Sequence, residues 1–165
     1  MIAIPVAEAA NAISATFSQS YTGLITQVST DTRENVDGSL FFALRGENSD
    51  GHAYVRQAFD KGAVAAVVDH PVNGVEGPQL VVQDTLLSLG DLAAHYRSKF
   101  DIPVVGVTGS VGKTSTKEMI ASVLGAKYTR LVSAKNYNNE IGVPHTLFSC
   151  AFIAMCFGKS FHPSL

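Results

Sequence analysis

Cysteine is scarce in this chain, strong charge of either sign is missing, and long apolar runs do not occur. The only two cysteines among its 165 residues are Cys150 and Cys156. Their spacing matches no zinc or redox pattern, so two ordinary thiols are expected rather than a disulfide scaffold or a structural metal site. Net charge is −2, with acids and bases interspersed. That balance excludes a basic nucleic-acid surface and a polybasic membrane patch. No apolar run approaches the roughly 20 residues that a membrane helix needs. The N-terminus has no positively charged region and is interrupted by Glu8, so it is not a secretory signal, and a cytoplasmic location is expected. Internal repeats and low-complexity tracts are absent. What remains is 46% apolar and 16% charged, enough to bury a core in one domain, or in one domain plus part of another.

The first hundred residues alternate between strand-like and helix-like pieces. "SLFFAL" (39–44) is a short apolar run between turn signals. "HAYVRQAFDKGA" follows as a helix, with Tyr54, Val55, Ala58 and Phe59 on one face and Gly62 as its stop. "AVAAVVDH" and "QLVVQD" are β-branched runs and read as buried strands. Asp84 is placed to cap a helix in which Leu89, Leu92, Ala93, Tyr96 and Phe100 recur at spacings of three or four. The fold class that follows is α/β. Pro103 marks a boundary near Asp101. Beyond it the pattern predicts a strand in "VVGVTG" and a helix in "TSTKEMIASVLGAK", with Met119, Ile120, Val123 and Leu124 on the helix's inner face and Gly125 after its end.

Strand, glycine turn and helix form the context of a phosphate-binding loop. The common pattern wants a glycine at position 107, where this chain has Val107. A shorter form survives as Thr108, Gly109, Ser110, Val111, Gly112, Lys113, Thr114 and Ser115. Gly109 and Gly112 let backbone N–H groups approach phosphate oxygens, and the helix adds the positive end of its dipole. Lys113 would reach the β- and γ-phosphates of ATP, and the Thr114 hydroxyl would ligate Mg²⁺. The plainer reading is a glycine turn with an exposed lysine. A cation at a helix start opposes the dipole, which a bound anion would relieve, so nucleotide binding is favoured.

A second polar cluster comes earlier. Ser29, Thr30, Asp31, Thr32 and Arg33 fall at one strand end, and Arg45 and Gly46 at the next. Ligands bind at strand ends of α/β sheets, and hydroxyls with an arginine suit a diphosphate or sugar. A solvated turn holding an Asp31–Arg33 pair explains the pattern equally well. "KNYNNEIGVP" (135–144) is either a hydrogen-bonding loop or a turn before a helix.

Taken together, "TGSVGKTS", "STDTR" with "GSLFFALRGENSDGHAYVRQAFDKGAVAAVV", and "KNYNNEIGVPHTLF" resemble the N-terminal part of a Mur ligase. The first matches that family's shortened phosphate loop, and the second resembles its UDP-sugar-binding domain. The third is similar to the branch that adds the final dipeptide. The likeness covers roughly residues 23–148. It implies an N-terminal precursor-binding domain over 1–100, the start of an ATP-binding central domain over 101–148, and a tail over 149–165 outside the family pattern. The implied activity is ATP-dependent ligation of D-alanyl-D-alanine to UDP-N-acetylmuramoyl-tripeptide through an acyl phosphate, in peptidoglycan precursor synthesis. Lys113 and Thr114-bound Mg²⁺ would then stabilise the transferring phosphoryl group. Ser29 to Arg33, with Arg45 and Gly46, would hold the UDP end, and Asn138 and Asn139 would face the muramoyl-peptide. A monomer is expected.

The likeness stops after Phe148. The family continues into a strand carrying a metal-binding glutamate, whereas no Asp or Glu follows Glu140 here. The resemblance therefore leads us to expect a truncated or frame-shifted piece, inactive alone, with a well-folded first part, a loosely held remainder and a sticky tail. The alternatives are a stand-alone UDP-muramoyl-peptide-binding module and another phosphate-loop enzyme, such as a small kinase or a folylpolyglutamate synthetase. The "STDTR" domain argues against the last two.

Overall fold

The computed structural model describes residues 1–17, 22–46, 49–133 and 139–150. It is α/β, as the sequence predicts. Strands β1 (Ile4–Pro5), β2 (Thr16–Phe17), β3 (Leu24–Ile25), β4 (Gln27–Ser29), β5 (Ser39–Phe42), β6 (Ala65–Val68) and β7 (Gln79–Val81) form two sheets. β1 and β3 make a small antiparallel pair, and the main sheet has the order β2-β7-β6-β5-β4. β4, β5, β6 and β7 run parallel, and β2 closes one edge antiparallel to β7.

The central strands β5 and β6 are buried at every position, as expected when both faces of a parallel sheet are covered. Side chains alternate across a strand. Leu40 and Phe42 therefore face a core that includes Val67, Leu80, Leu89, Leu92 and Tyr96. Phe41 and Ala43 face the other way, toward Val55, Ala58, Ala66 and Val68. Val55 and Ala58 belong to helix α2 (Val55–Asp60), which follows a 3₁₀ turn at Gly51–Tyr54. The opposite face is covered by α3 (Thr85–Ser98), whose Asp84 cap accepts the Leu86 and Leu87 N–H groups at 2.8 and 2.9 Å. Leu89, Leu92, Ala93, Tyr96 and Phe100 are all buried, on the predicted face. Each large apolar side chain so buried contributes roughly 1.5–3 kcal/mol. Helix α1 (Val6–Ala12) lies on α3, and Glu8 is fastened to His95 and Lys99 at 2.8 and 2.5 Å.

Past residue 100 two expectations are corrected. Residues 101–109 carry no strand, and Val104 and Val105 are 63% and 59% exposed. A strand exists through its hydrogen-bonded ladder, and no described segment pairs with this one. Helix α4 (Lys113–Gly125) forms as predicted, with Gly125 as its last residue. Its intended inner face, however, is open: Met119 and Val123 are 69% and 74% exposed, Leu124 is exposed too, and Ala121 alone is buried. Ile120 is half-buried, in a recess it shares with Val104, Val105, Leu131 and Leu147, so the described residues cover only one side of the face that periodicity marked. Helix α5 (Gly142–Phe148) packs on α3 and β4 instead. Its Phe148 ring lies 5.7 Å from that of Tyr96, and Phe148 and Cys150 join the first core. Among the described residues no helix is long and apolar enough to cross a membrane. Cys156, Asn138 and most of the tail lie outside the described residues.

Candidate functional site

The turn after β4 and the loop after β5 face each other across a recess of about 420 Å³ lined by Thr30–Arg33, Arg45, Gly46, Tyr54 and Ile141 among others. That volume falls within the roughly 300–1,000 Å³ of small-molecule sites. Both flanking loops leave the carboxyl ends of parallel strands, where α/β folds place ligands.

One wall of the recess is braced by buried hydroxyls. Ser29 is buried, and its hydroxyl receives the Asp31 N–H at 3.3 Å while donating to the Asp31 carbonyl at 3.2 Å. Thr32 is buried as well: its hydroxyl donates to Gln57 Oε1 at 2.7 Å, and Lys61 Nζ donates to its carbonyl at 2.6 Å. These two residues brace the turn. Asp31 pairs with Arg33 at 2.6 Å, so the plainer expectation of a solvated ion pair is also met. The Arg33 side chain, with its hydrogen bonds to the carboxylate, brings the Asp31 pKa down to about 2. Thr30 Oγ1 lies 3.4 Å from His145 Nε2, on α5. Burial lowers the pKa of His145. His145 and Ile141 had no place in the sequence-based site, because only folding brings α5 to this rim.

The loop after β5 is folded tightly on itself. Arg45 and Asp50 form an isolated antiparallel bridge, and Gly51 N–H donates to Leu44 O at 2.8 Å. A Cβ on Gly51 would stand 2.7 Å from the Leu44 backbone N and O, so only glycine permits this approach. Arg45 Nε lies 3.2 Å from Asp69 Oδ2 and 3.6 Å from Asp50 Oδ2. His52 links the same two acids from beneath, and His70 stacks on it at 4.4 Å. The ligand atoms of His52, Asp69 and His70 lie within 4.8 Å of one another. They suit a hydrogen-bond network better than a metal ion. His52 Nε2 accepts the Asp69 N–H at 3.1 Å, which leaves Nδ1 to carry the proton toward Asp50, and a metal needs a free lone pair.

The glycine loop stands elsewhere, and none of Thr108–Ser115 lines the recess. Gly112 precedes α4 with φ +76°, a left-handed conformation that glycine adopts without strain. Among the described residues no side chain caps the helix, and its first turn carries no acid. Lys113 Nζ folds back onto the Gly109 carbonyl. Uncapped N–H groups, a left-handed glycine and a lysine curled over the turn fit the phosphates of a nucleotide. Asn139 is not part of the recess. Its Oδ1 accepts the Gly142 N–H at 2.8 Å at the start of α5, and it lines a groove against α3.

Comparison with known proteins agrees with both halves. Residues 24–97 match the model of the "Mur ligase family, catalytic domain", and residues 107–152 that of the "Mur ligase middle domain". The chain is 52% identical over 125 residues to the UDP-N-acetylmuramoyl-tripeptide–D-alanyl-D-alanine ligase of Synechocystis, covering 74% of this chain and 28% of the relative. It is 48% identical over 120 residues to the enzyme of the same name from Escherichia coli, covering 73% and 26%. The crystal structure of MurF from Acinetobacter baumannii is similar with a TM-score of 0.83 at 36% identity, covering 88% of this chain and 33% of that one. MurF ligase from Thermotoga maritima in complex with ADP gives a TM-score of 0.69 at 30% identity, covering 74% and 28%. The chain spans little more than a quarter of the length of these curated relatives. With both family models matched in order, and both the recess and the glycine loop in place, the chain belongs to the Mur ligase family.

Proposed function

We propose that this chain carries the precursor-binding and ATP-binding elements of the ligase that joins D-alanyl-D-alanine to UDP-N-acetylmuramoyl-tripeptide in the cytoplasm. The division falls near residue 101, between the sheet unit and the glycine-loop segment. The observation that carries this reading is the pairing, on one chain, of a polar recess at parallel strand ends with an uncapped helix start behind a glycine loop. Thr30, Asp31, Thr32, Arg33, Arg45 and Gly46 form the UDP side, with Ser29 and Thr32 acting mainly to brace the turn. Gly109 to Ser115 would hold the nucleotide phosphates, Lys113 would neutralise charge on them, and Thr114 would ligate Mg²⁺. ATP supplies the phosphoryl group that activates the tripeptide carboxylate for attack by the dipeptide amine. The residues present contribute positioning and charge neutralisation. Asn139, seated at the start of α5, acts on that helix's placement, which brings Ile141 and His145 to the rim.

Calorimetry on the 165-residue chain tests this with UDP and ADP titrated separately. Both are expected to bind, Lys113→Ala removing only ADP binding and Arg45→Ala weakening only UDP binding. No heat from either ligand at millimolar concentration would reject the reading. A second reading, a UDP-precursor binder without turnover, is favoured by the open apolar face of α4 beside a finished recess. Ligation above the Lys113→Ala background would exclude it.

A further inference from the structure

The cluster behind Arg45 is explained neither by core packing nor by a metal ion. We propose that His52 is the positioning residue of the recess: it fixes the Arg45 guanidinium by holding the Asp50 carboxylate and the backbone N–H of Asp69, the two acids that flank it. The proposal rests on the reading of the recess as the UDP side of the site.

His52 is 6% exposed at the start of the 3₁₀ turn. Its Nδ1 lies 2.6 Å from Asp50 Oδ1, which also accepts the His52 backbone N–H at 2.9 Å. Those two bonds, the backbone one first, hold the Asp50 pKa below its usual value and keep it ionised. On the other side of the ring, Nε2 accepts the Asp69 N–H at 3.1 Å. A backbone N–H can only donate, so the ring is the Nδ1–H tautomer. Asp69 Oδ1 lies 3.2 Å from the same Nε2, and it takes its hydrogen bonds from His70 and from Arg45 Nη2 instead, the latter at 3.2 Å. One imidazole thus spans the loop after β5 and the end of β6, bonded to the Asp50 carboxylate at one pole and to the Asp69 backbone at the other. Arg45 lies between the Asp50 and Asp69 carboxylates, its side chain 57% exposed toward the recess.

The physical consequence is preorganisation. An unrestrained arginine loses considerable rotamer freedom on engaging a ligand, and a guanidinium already held loses less. Core packing would ask only for an apolar ring of similar size at position 52. It would not ask for a donor toward one acid and an acceptor toward the backbone of another. Glutamine carries one donor and one acceptor on a single amide and is the conservative replacement.

The experiment is a double-mutant cycle on the whole chain, with UDP as probe and ADP as internal control. His52→Leu is expected to weaken UDP binding about tenfold, the loss of one charge-assisted contact, and to leave ADP binding unchanged. His52→Gln should recover most of the lost affinity. In an Arg45→Ala background His52→Leu should add nothing further, since residues that act through one another are not additive. Equal losses with and without Arg45, or parallel losses of UDP and ADP binding, would overturn the proposal. Absence of UDP binding by the unmodified chain would overturn the substrate reading itself, before any variant is compared. Nitrogen-15 spectra of the imidazoles give an outcome independent of ligand and of variant folding. A protonated Nδ1 with a bare Nε2 on His52 at neutral pH supports the proposal, and the opposite tautomer overturns it.

Discussion

The sheet unit of the first hundred residues and the loop-and-helix segment that follows it treat the same kinds of side chain differently. In the sheet unit, Leu40, Phe42, Leu80 and Leu89 are fully buried. In the segment that follows, Val104, Val105, Met119 and Val123 are all more than half exposed. Both stretches carry apolar side chains at the spacing of an amphipathic face. The difference lies in whether a second surface is present, because an amphipathic face is a demand for a partner and not a supply of one. A helix of 13 residues with an open face is stable mainly through its own ladder, and α4 is in that position.

Core truncation gives the sharpest contrast. Tyr96→Ala is expected to cost about 3–5 kcal/mol of unfolding free energy in urea. Tyr96 is fully buried, packs on Phe100 and Phe148, and its hydroxyl accepts the Ile2 N–H at 2.7 Å. Val123→Ala should change the same transition by less than about 0.5 kcal/mol. Comparable losses in the two would break the comparison. Phe148→Ala tests where α5 belongs. A loss of roughly 3 kcal/mol in the sheet unit's transition places the helix with that unit, and no effect would return it to the segment around α4. The helix starts differ more modestly. Asp84→Ala should cost about 1 kcal/mol, as removal of a side-chain cap does, whereas Ser115→Ala at the uncapped α4 should leave the transition where it was. The smallest effect is electrostatic. The Asp31 carboxylate titrates at about 2 when folded against an ordinary 3.8. Its stabilising contribution is therefore complete above pH 3.8 and lost as pH falls toward 2. For an exposed pair this amounts to at most about 1 kcal/mol. Acid unfolding of Asp31→Asn should be less steep in that window, and an unchanged profile would remove the pair from the account.

The parts of the fold legible in the sequence were those whose determinants are local. Asp84 as a cap, the face of α3 from Leu89 to Phe100, and the buried runs of β5 and β6 all follow from spacing and side-chain type. The strand expected at residues 104–109 failed because pairing is non-local, and apolar content cannot reveal whether a ladder partner exists. The glycine loop was readable because its backbone demands glycine at Gly112 in any context. The recess is half readable: the pattern puts Thr30–Arg33, Arg45 and Gly46 at strand ends, where they line it, but carries no sign of His145 or His52. His52 comes directly after Asp50 and Gly51, a signal available only once the loop is known to fold back on Leu44. For Asn139 the sequence implies a ligand contact, whereas the fold shows its Oδ1 accepting the Gly142 N–H at the start of α5, a role that spacing does not reveal.

The docking of α5 changes what kind of object the glycine loop is. Arg97 holds the Ile102 carbonyl at 2.5 Å on one side, and Phe148 is embedded near Tyr96 on the other. The glycine loop and α4 therefore sit on an arc moored at both ends. In polymer terms its closure entropy grows only logarithmically with contour length, about 0.6 kcal/mol for each doubling. The sheet unit should accordingly tolerate large insertions in the arc. Releasing either mooring would turn the arc into a tether and enlarge the volume open to the loop.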